Sequence, residues 1–192
     1  MTARRLRQNS APALLDPGFA LIEGLDRWRR RIRPLAPGSL LGVQAGRHRG
    51  CDLTLADGTT VREGASLLRL HLDNRRLREL ATEGWQTRAY AAAAEDLATL
   101  AARVIGMPGE ERPVALTGVT LLAALTRRVG FELRDRPQTP WTGLEDWYLR
   151  TLLRRWAPGG AARLARGHGP LRAREAWMSA DELLRRYGPP PR

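Results

Sequence analysis

The sequence has no lysine, one cysteine and three histidines in 192 residues. The single cysteine, Cys51, excludes an internal disulfide and any zinc or iron–sulfur site that needs several cysteines. This usage fits a reducing compartment, and we expect a cytoplasmic protein. His48, His71 and His168 lie in three separate segments, without an H-x-x-x-H or H-E-x-x-H pair. We therefore predict no metal site and no cofactor.

Long hydrophobic runs are also absent. The longest, residues 114–125, is about a dozen residues and contains threonine and glycine, whereas a membrane-spanning helix takes roughly 20 apolar residues. The first residues are basic, but Pro12, Asp16 and Pro17 interrupt the apolar stretch that a secretion signal needs. We expect a protein without an integral membrane segment, with residues 1–17 as a disordered N-terminal arm.

Arginine, in contrast, is abundant. All 32 basic residues are arginines, and against 20 acidic residues they give a net charge of +12. Such an excess attracts polyanions at low salt, so nucleic acid and phosphorylated ligands are candidate partners. The many alanine, glycine and proline residues indicate that part of this charge comes from genomic base composition. Trp28 and Trp156, beside two arginine clusters, fall on apolar stripes, which disfavours base stacking and hence nucleic acid.

The first half of the chain predicts an amphipathic helix followed by strands. Apolar residues recur at helical spacing over residues 19–32, and Pro34 ends that pattern. Asp57 and Gly58 are typical of a tight hairpin turn. Strands are predicted over residues 40–45, 51–55, 59–61 and 67–72. Helices are predicted over residues 74–81 and 88–105.

The second half predicts a strand–helix–strand unit and two capped helices. In "PVALTGVTLLAALTRRVGFEL" a strand, a turn at Gly118, a short helix and a second strand follow one another, and both strands are expected in one sheet, parallel or at one edge. Thr142 with Glu145, and Ser179 with Glu182, have the spacing of capping boxes. The predicted buried stripe of the first capped helix consists of Leu144, Tyr148, Leu152 and Trp156.

Strands and helices in this mixed order predict a single α+β domain over residues 18–188. We expect a small mixed or antiparallel sheet covered by about five to six helices. Residues 158–170 are predicted to form a loop, and residues 189–192 a proline-rich tail.

The stretch "LLRLHLDN" is the strongest candidate for a site. Along a strand Leu68, Leu70 and Leu72 point to one face, and Arg69, His71 and Asp73 point to the other, about 6–7 Å apart. A nearby carboxylate stabilises an imidazolium and selects its tautomer, so Asp73 is a candidate to tune His71 for proton transfer. The alternative is a solvated face on which Asp73 or Asn74 caps the next helix.

Other chemical signals are weaker. No G-x-S-x-G motif is present, and Cys51 lies in a predicted strand, where a small buried apolar residue is its usual role. Gly118 and Thr120 lie at a predicted strand-to-helix junction, where free amides can bind an anion. An ordinary helix cap formed by Thr117 or Thr120 is the alternative.

Several segments in a fixed order carry a family resemblance: "LTLADGTTVREGASLLRLHLDNRRL", a long helix, "ALTGVTLLAALTRRVGFEL", "DWYLRTLLRRW" and "REAWMSADELLRRYG". Over residues 24–188 the chain resembles the YkoP-like domain family. The most telling parts are "LHLDN", with His71 and Asn74, and the pairing of "WMS" with "RRYG". Ala65 and Ser66 depart from the family pattern, which tends to have an acidic residue there after glycine.

The resemblance implies a bacterial domain that occurs alone or joined to polysaccharide deacetylase domains, near genes for envelope glycan synthesis. It therefore implies an envelope-polysaccharide context and a polysaccharide-processing enzyme as a partner, but it supplies no catalytic residues. The chain itself lacks the paired aspartates and the H-x-x-x-H metal face of such a deacetylase.

Three functions are compatible with the sequence. The first is an accessory or binding domain for a glycan or an anionic phosphorylated glycan or lipid. In it Arg69 binds the anion, His71 serves as hydrogen-bond donor or acid–base group, and Asn74 recognises hydroxyls. The second is an enzyme acting on a phosphorylated glycan or lipid-linked intermediate, with His71 and Asp73 as the catalytic pair. The third is non-specific nucleic-acid binding through the arginine-rich faces.

Overall fold

The computed structural model describes residues 32–80, 84–156 and 172–190, and only the backbone of residues 152–156. Residues 33–192 form one compact unit. Its strands are β1 (Arg33–Pro34), β2 (Leu41–Arg47), β3 (Leu53–Thr54), β4 (Thr60–Val61), β5 (Ser66–Leu72), β6 (Ala115–Thr120), β7 (Glu132–Arg134) and β8 (Arg174–Ser179). Its helices are α1 (Asn74–Leu80), α2 (Trp85–Ile105), α3 (Ala123–Arg128), α4 (Pro140–Trp156) and α5 (Ala180–Tyr187). No helix in the described ranges is long and apolar enough to cross a membrane.

Six strands form one mixed sheet in the order β1-β2-β5-β6-β8-β7, and β3 pairs with β4 in a separate hairpin. β5 and β6 are parallel, whereas every other neighbouring pair in the main sheet is antiparallel. Five helices accompany these strands in the part of the chain that is described. The predicted α+β class with a mixed sheet is confirmed.

The elements around β5 follow the sequence prediction. β5 and α1 lie where the pattern placed them, and α2 begins three residues earlier than predicted, at Trp85. The β3–β4 hairpin turns at Gly58, which has a φ of 87° and donates its amide to the oxygen of Leu55 at 3.0 Å. The loop over residues 158–170 and all but the last residue of the predicted helix over residues 19–32 lie outside the described residues.

The predicted turn at Gly118 is wrong, because β6 runs through this residue from Ala115 to Thr120. Gly118 pairs with Ala176 of β8, and a Cβ atom at position 118 would lie 3.0 Å from the backbone oxygen of Leu70. The glycine thus permits close approach of two strands and does not reverse the chain. The strands flanking α3, β6 and β7, run in the same direction and do not pair, since β8 lies between them.

The predicted capping box at Thr142 is also wrong. Helix α4 begins at Pro140, and the hydroxyl of Thr139 accepts the amide of Thr142 at 3.1 Å. Proline is favoured at a first helical position because its missing N–H would have no partner there. Thr142 therefore lies inside the first turn, and the Glu145 carboxylate pairs with Arg136.

The predicted cap at Ser179 is confirmed. Its hydroxyl oxygen accepts the amide of Glu182 at 2.9 Å at the start of α5, and its hydroxyl proton is donated to the carboxylate of Asp57. The carboxylate of Glu182 accepts hydrogen bonds from Arg185 and Arg186. One buried hydroxyl thus joins the start of α5 to the β3–β4 hairpin.

The predicted buried stripe of α4 is wrong at Leu144, which is 54% exposed, whereas Tyr148 is half-buried. The side chains of Leu152 and Trp156 lie outside the described part of the chain. Among the side chains of this helix that the structure describes, the buried one is Asp146, which is 5% exposed.

Three apolar side chains therefore project from α4 into solvent, and we call them the aromatic stripe: Trp141, Leu144 and Trp147. They are 77%, 54% and 60% exposed, respectively. Residues three apart lie on neighbouring parts of a helix surface, so the three form one apolar ridge.

The main core lies between the sheet and α2. Leu68, Leu70 and Leu72 of β5 point towards α2, whose buried residues in this core are at most 1% exposed at Leu97, Leu100 and Val104. Asp96 of the same helix accepts the amide of Leu41 at 2.7 Å, which joins α2 to the start of β2. Burial raises the pKa of Asp96, although the hydrogen bonds from the amides of Leu41 and Leu40 offset part of that rise.

A smaller apolar cluster lies on the other face of the sheet, beneath the β3–β4 hairpin. It consists of Leu55, Val61, Leu67, Ala115 and Trp177. Val61 is completely buried, so the hairpin is a packed part of the domain.

Edge strand β7 also holds the hairpin. The amide of Ala56 donates to the carboxylate of Glu132 at 2.7 Å, and the guanidinium of Arg134 donates to the backbone oxygen of Thr54. Glu132 and Arg134 pair with each other at 2.8 Å. One end of this face of the sheet is therefore closed by a fixed hairpin.

We expect Ser179→Ala to lower the free energy of unfolding by about 2 kcal/mol, because it removes a helix cap and leaves the Asp57 carboxylate without its buried donor. Urea denaturation at neutral pH measures this change. Thr99→Ala is the matched control, since it removes an exposed helical hydroxyl that bonds only to the preceding turn. A loss no larger for Ser179→Ala than for Thr99→Ala would contradict the assigned role.

Stability should also fall on acidification. Burial raises the pKa of Asp57, but hydrogen bonds from Ser179 and Thr59 outweigh this effect and hold the pKa below the ordinary 3.8. Burial also raises the pKa of Glu182, but the contacts with Arg185 and Arg186 outweigh it and hold the pKa below the ordinary 4.5. Such carboxylates stabilise the fold while ionised, so their contribution is present above the ordinary values and is lost as pH falls below them. Between about pH 5 and pH 3, the free energy of unfolding of Asp57→Asn/Glu182→Gln should fall less steeply than that of the wild type. Equal slopes would show that these contacts do not couple protonation to folding.

Candidate functional site

The face of the sheet opposite α2 carries a row of polar side chains beyond the hairpin. Alternation along β5 directs Leu68, Leu70 and Leu72 to α2 and directs Arg69 and His71 to this opposite face. The register places Gln44 of β2 on one side of Arg69 and Thr117 of β6 on the other. Glu175 of β8 lies on the same side of the sheet. We call these five residues the polar face.

His71 is half-buried and is hydrogen-bonded to a neutral amide. Its Nε2 lies 3.1 Å from the Oε1 of Gln44 on the adjacent strand. With the amide oxygen as acceptor, Nε2 carries the proton. This contact holds the ring across the two strands.

Arg69 is the exposed cation of the polar face. Its side chain lies beside Gly46, where a Cβ atom would be 3.4 Å from the Arg69 Nε. The glycine thus leaves space for the arginine side chain next to β2. A guanidinium held along a strand, with its outer edge in solvent, is suited to hydrogen bonding with an anionic oxygen.

On β8, Glu175 is the member of the polar face, and Trp177 lies beside it. The indole Nε1 of Trp177 donates to the Oε2 of Glu175 at 3.2 Å, and the register places Trp177 next to Thr117. The ring of His48 meets the indole edge-on, with ring centroids 5.7 Å apart. The indole is therefore part of the apolar cluster beneath the hairpin, whereas the Glu175 carboxylate is part of the polar face next to that cluster.

Asp73 caps helix α1. Its Oδ1 accepts the amides of Arg75 and Arg76 at 2.9 and 3.1 Å. Asn74 is the first residue of the helix, and its backbone oxygen accepts the Nε of Arg78 at 3.2 Å. These contacts agree with the alternative prediction, in which Asp73 caps the helix. The roles of Asp73 in catalysis and of Asn74 in ligand binding stay predictions.

Gly118 and Thr120 lie on the other side of the sheet from Arg69 and His71. Thr120 is 7% exposed, and its hydroxyl accepts the amide of Leu122 at 2.9 Å. Both residues line an apolar crevice between the sheet, α2 and α3. Because the sheet separates the two pairs, they cannot contact one small ligand together.

The remaining candidates lie apart from the polar face. The Nε2 of His48 bonds with the backbone oxygen of Cys51 at 2.8 Å, and Cys51 is exposed, contrary to the expected burial. His168 lies outside the described residues. Within the described ranges, no group of three or more histidine, cysteine or acidic side chains is arranged to hold a metal ion.

Three residues of the polar face, Gln44, Thr117 and Glu175, were missed by sequence reasoning. A partial signal for Gln44 exists in "LGVQAGR", where it is the one polar residue between Gly42 and Gly46. Their position beside Arg69 depends on strand register, which a single sequence does not specify.

Comparison with known proteins yields one match. The family model described as YkoP domain matches residues 15–187. That range contains every described strand and helix. No curated protein and no solved structure matches the chain.

We expect Gly118→Ala to lower the free energy of unfolding by about 1–3 kcal/mol, because the new methyl group would crowd the Leu70 oxygen across two central strands. Gly109→Ala is the control: a Cβ atom there meets nothing within 4 Å, so its effect should be close to zero. Urea denaturation measures both. If both substitutions have the same small effect, close strand approach does not explain the glycine at position 118.

Proposed function

The chain belongs to the YkoP domain family, and we propose that it is a binding domain that holds a phosphorylated glycan on the polar face of its sheet. The ligand chemistry is a sugar with an anionic phosphate, either free or carried on a lipid. We further propose that the domain serves a polysaccharide-processing enzyme of the bacterial envelope as an accessory.

The side chains of the polar face supply the contacts that such a ligand needs. Arg69 is exposed, and guanidinium groups bind phosphate oxygens through paired, charge-assisted hydrogen bonds. Gln44 and Thr117 flank Arg69 on the two neighbouring strands, where an amide and a hydroxyl can donate to and accept from sugar hydroxyls. Glu175, the carboxylate of the polar face, lies two strands from Arg69 and is hydrogen-bonded to Trp177. A cation with neutral groups as its immediate neighbours favours an anionic sugar over an apolar ligand.

The observation that carries the proposal is the position of Arg69. It is exposed on the face of the sheet opposite α2, with Gln44 and Thr117 in register on its two sides. His71 is hydrogen-bonded to the Gln44 amide on the same face, and the Asp73 carboxylate accepts two amides at the start of α1. A cation with polar neighbours on a strand suits hydrogen bonding to an anionic ligand.

The envelope context rests on the family resemblance and on the ligand chemistry. YkoP-like domains occur joined to polysaccharide deacetylase domains, and this chain lacks the metal-ligand pattern of those enzymes. An accessory role follows, in which the domain holds a glycan that another protein modifies. A cytoplasmic location, where phosphorylated sugar precursors are assembled, is part of the same proposal.

We expect Arg69→Gln to weaken binding of N-acetylglucosamine 1-phosphate by about tenfold or more, because a charge-assisted contact to phosphate is lost. Titration calorimetry at physiological salt measures the affinity. Arg127→Gln is the matched control: it removes the same charge from an exposed position on α3, on the other side of the sheet. Its affinity should equal that of the wild type.

Further measurements distinguish the other functions. One alternative result is that Arg69→Gln and Arg127→Gln weaken sugar-phosphate binding equally while short DNA binds more tightly than the sugar phosphate, with an affinity that falls steeply as salt rises. That result would favour non-specific nucleic-acid binding. Turnover of the sugar phosphate that His71→Gln abolishes without loss of binding would favour the enzyme. No binding of the sugar phosphate, of undecaprenyl phosphate or of chito-oligosaccharides would refute the proposed function.

A further inference from the structure

The aromatic stripe of α4 faces outward because polar contacts fix the other side of the helix. Arg136, whose side chain is 10% exposed, pairs with Glu145 and lies 3.8 Å from the Asp146 carboxylate. Asp146 in turn accepts the amide of Ala173 at 3.1 Å, immediately before β8. Rotating α4 to bury its aromatic side would break these contacts and leave buried charges without partners, which is strongly unfavourable. The outward orientation is thus built into the fold.

The stripe is a continuous apolar ridge. Its two tryptophans and Leu144 recur at every third residue, so they span about 9 Å along the helix axis at 1.5 Å per residue. All three are more than half exposed, whereas the large apolar residues of β5 and, apart from Ile105, of α2 are buried or half-buried. Two tryptophans in one exposed ridge are costly in water and indicate a surface that is covered in use.

The charges around the stripe are positive. The two carboxylates of α4, Glu145 and Asp146, both lie against Arg136. Arg150 follows Trp147 by three residues and donates its Nε to a backbone oxygen of α4. The sequence of the last turns of α4 adds two more arginines, Arg154 and Arg155.

We propose that the aromatic stripe docks on an anionic lipid surface, with the arginines of α4 contacting the headgroups. Tryptophan is enriched at the membrane interface, where its ring is partly buried and its N–H remains hydrated. A helix that combines tryptophan and leucine on one side with arginines nearby has the composition of interfacial helices. Anionic headgroups match the positive charge, and the acyl boundary accepts the apolar ridge. The inference does not rest on the glycan-binding proposal.

Co-sedimentation of the full chain with vesicles tests this inference. The wild type should sediment with vesicles of equal parts phosphatidylcholine and phosphatidylglycerol, and much less with phosphatidylcholine alone. Trp141→Ser/Trp147→Ser should reduce the partition coefficient by roughly tenfold or more, because two interfacial anchors are lost. Its melting temperature should match that of the wild type, since both side chains are exposed.

Two further variants complete the test. Ile105→Ser removes an apolar side chain that is 44% exposed on α2 and should leave vesicle binding unchanged. Leu144→Ser should weaken binding by a smaller factor than the double variant and provides a second reading of the stripe. Arg150→Gln should reduce the preference for anionic vesicles.

Three results would overturn the inference. The first is that the wild type fails to sediment with anionic vesicles. The second is that Trp141→Ser/Trp147→Ser sediments as well as the wild type, which would show that general positive charge explains the binding. The third is a wild-type dimer in sedimentation velocity that the double variant converts to a monomer, without vesicle binding. The stripe would then be the contact between two copies of this chain.

Discussion

The alternation of side chains along β5 is the constraint on which the rest of the structure depends. β5 lies inside the sheet, paired with β2 on one side and β6 on the other. Its Leu68, Leu70 and Leu72 complete the core beneath α2, and this requirement directs Arg69 and His71 to the opposite face. A shift of one residue would exchange the two sets and bury a cation in the core, so the same packing that stabilises the fold determines where the polar face lies.

The polar face and the hairpin divide the second side of the sheet between them. Where Leu67, Ala115 and Trp177 emerge, the hairpin covers them and is held by contacts to β7 and α5. Further along the strands, Arg69 and His71 take the place of apolar residues. This member of the family thus combines a rigid support with side chains suited to hydrogen bonding. Such rigidity lowers the entropy cost of ordering a binding site.

Local features were predictable from the sequence, and features that depend on distant partners were not. β5, the Asp57–Gly58 hairpin and the Ser179 cap follow from patterns within a few residues. Gly118 was misinterpreted because its purpose, close approach to Leu70, depends on a neighbouring strand. The orientation of α4 was misinterpreted because its apolar pattern is ordinary, whereas the contacts of Asp146 with Arg136 and Ala173 that override it join three separate segments. Gln44 and Thr117 joined the candidate site only through strand register.

The position of β8 has a consequence for how the chain folds. This strand lies near the C-terminal end of the described chain, yet it is inserted between β6 and β7, and its last residue reaches back across 122 positions to the hairpin. Contacts of such high sequence separation form slowly, because a long loop must close first. On the ribosome, β6 therefore has an unpaired edge until β8 has been synthesised. An exposed strand edge invites pairing with other chains, so the late arrival of β8 marks the period in which aggregation is most favoured.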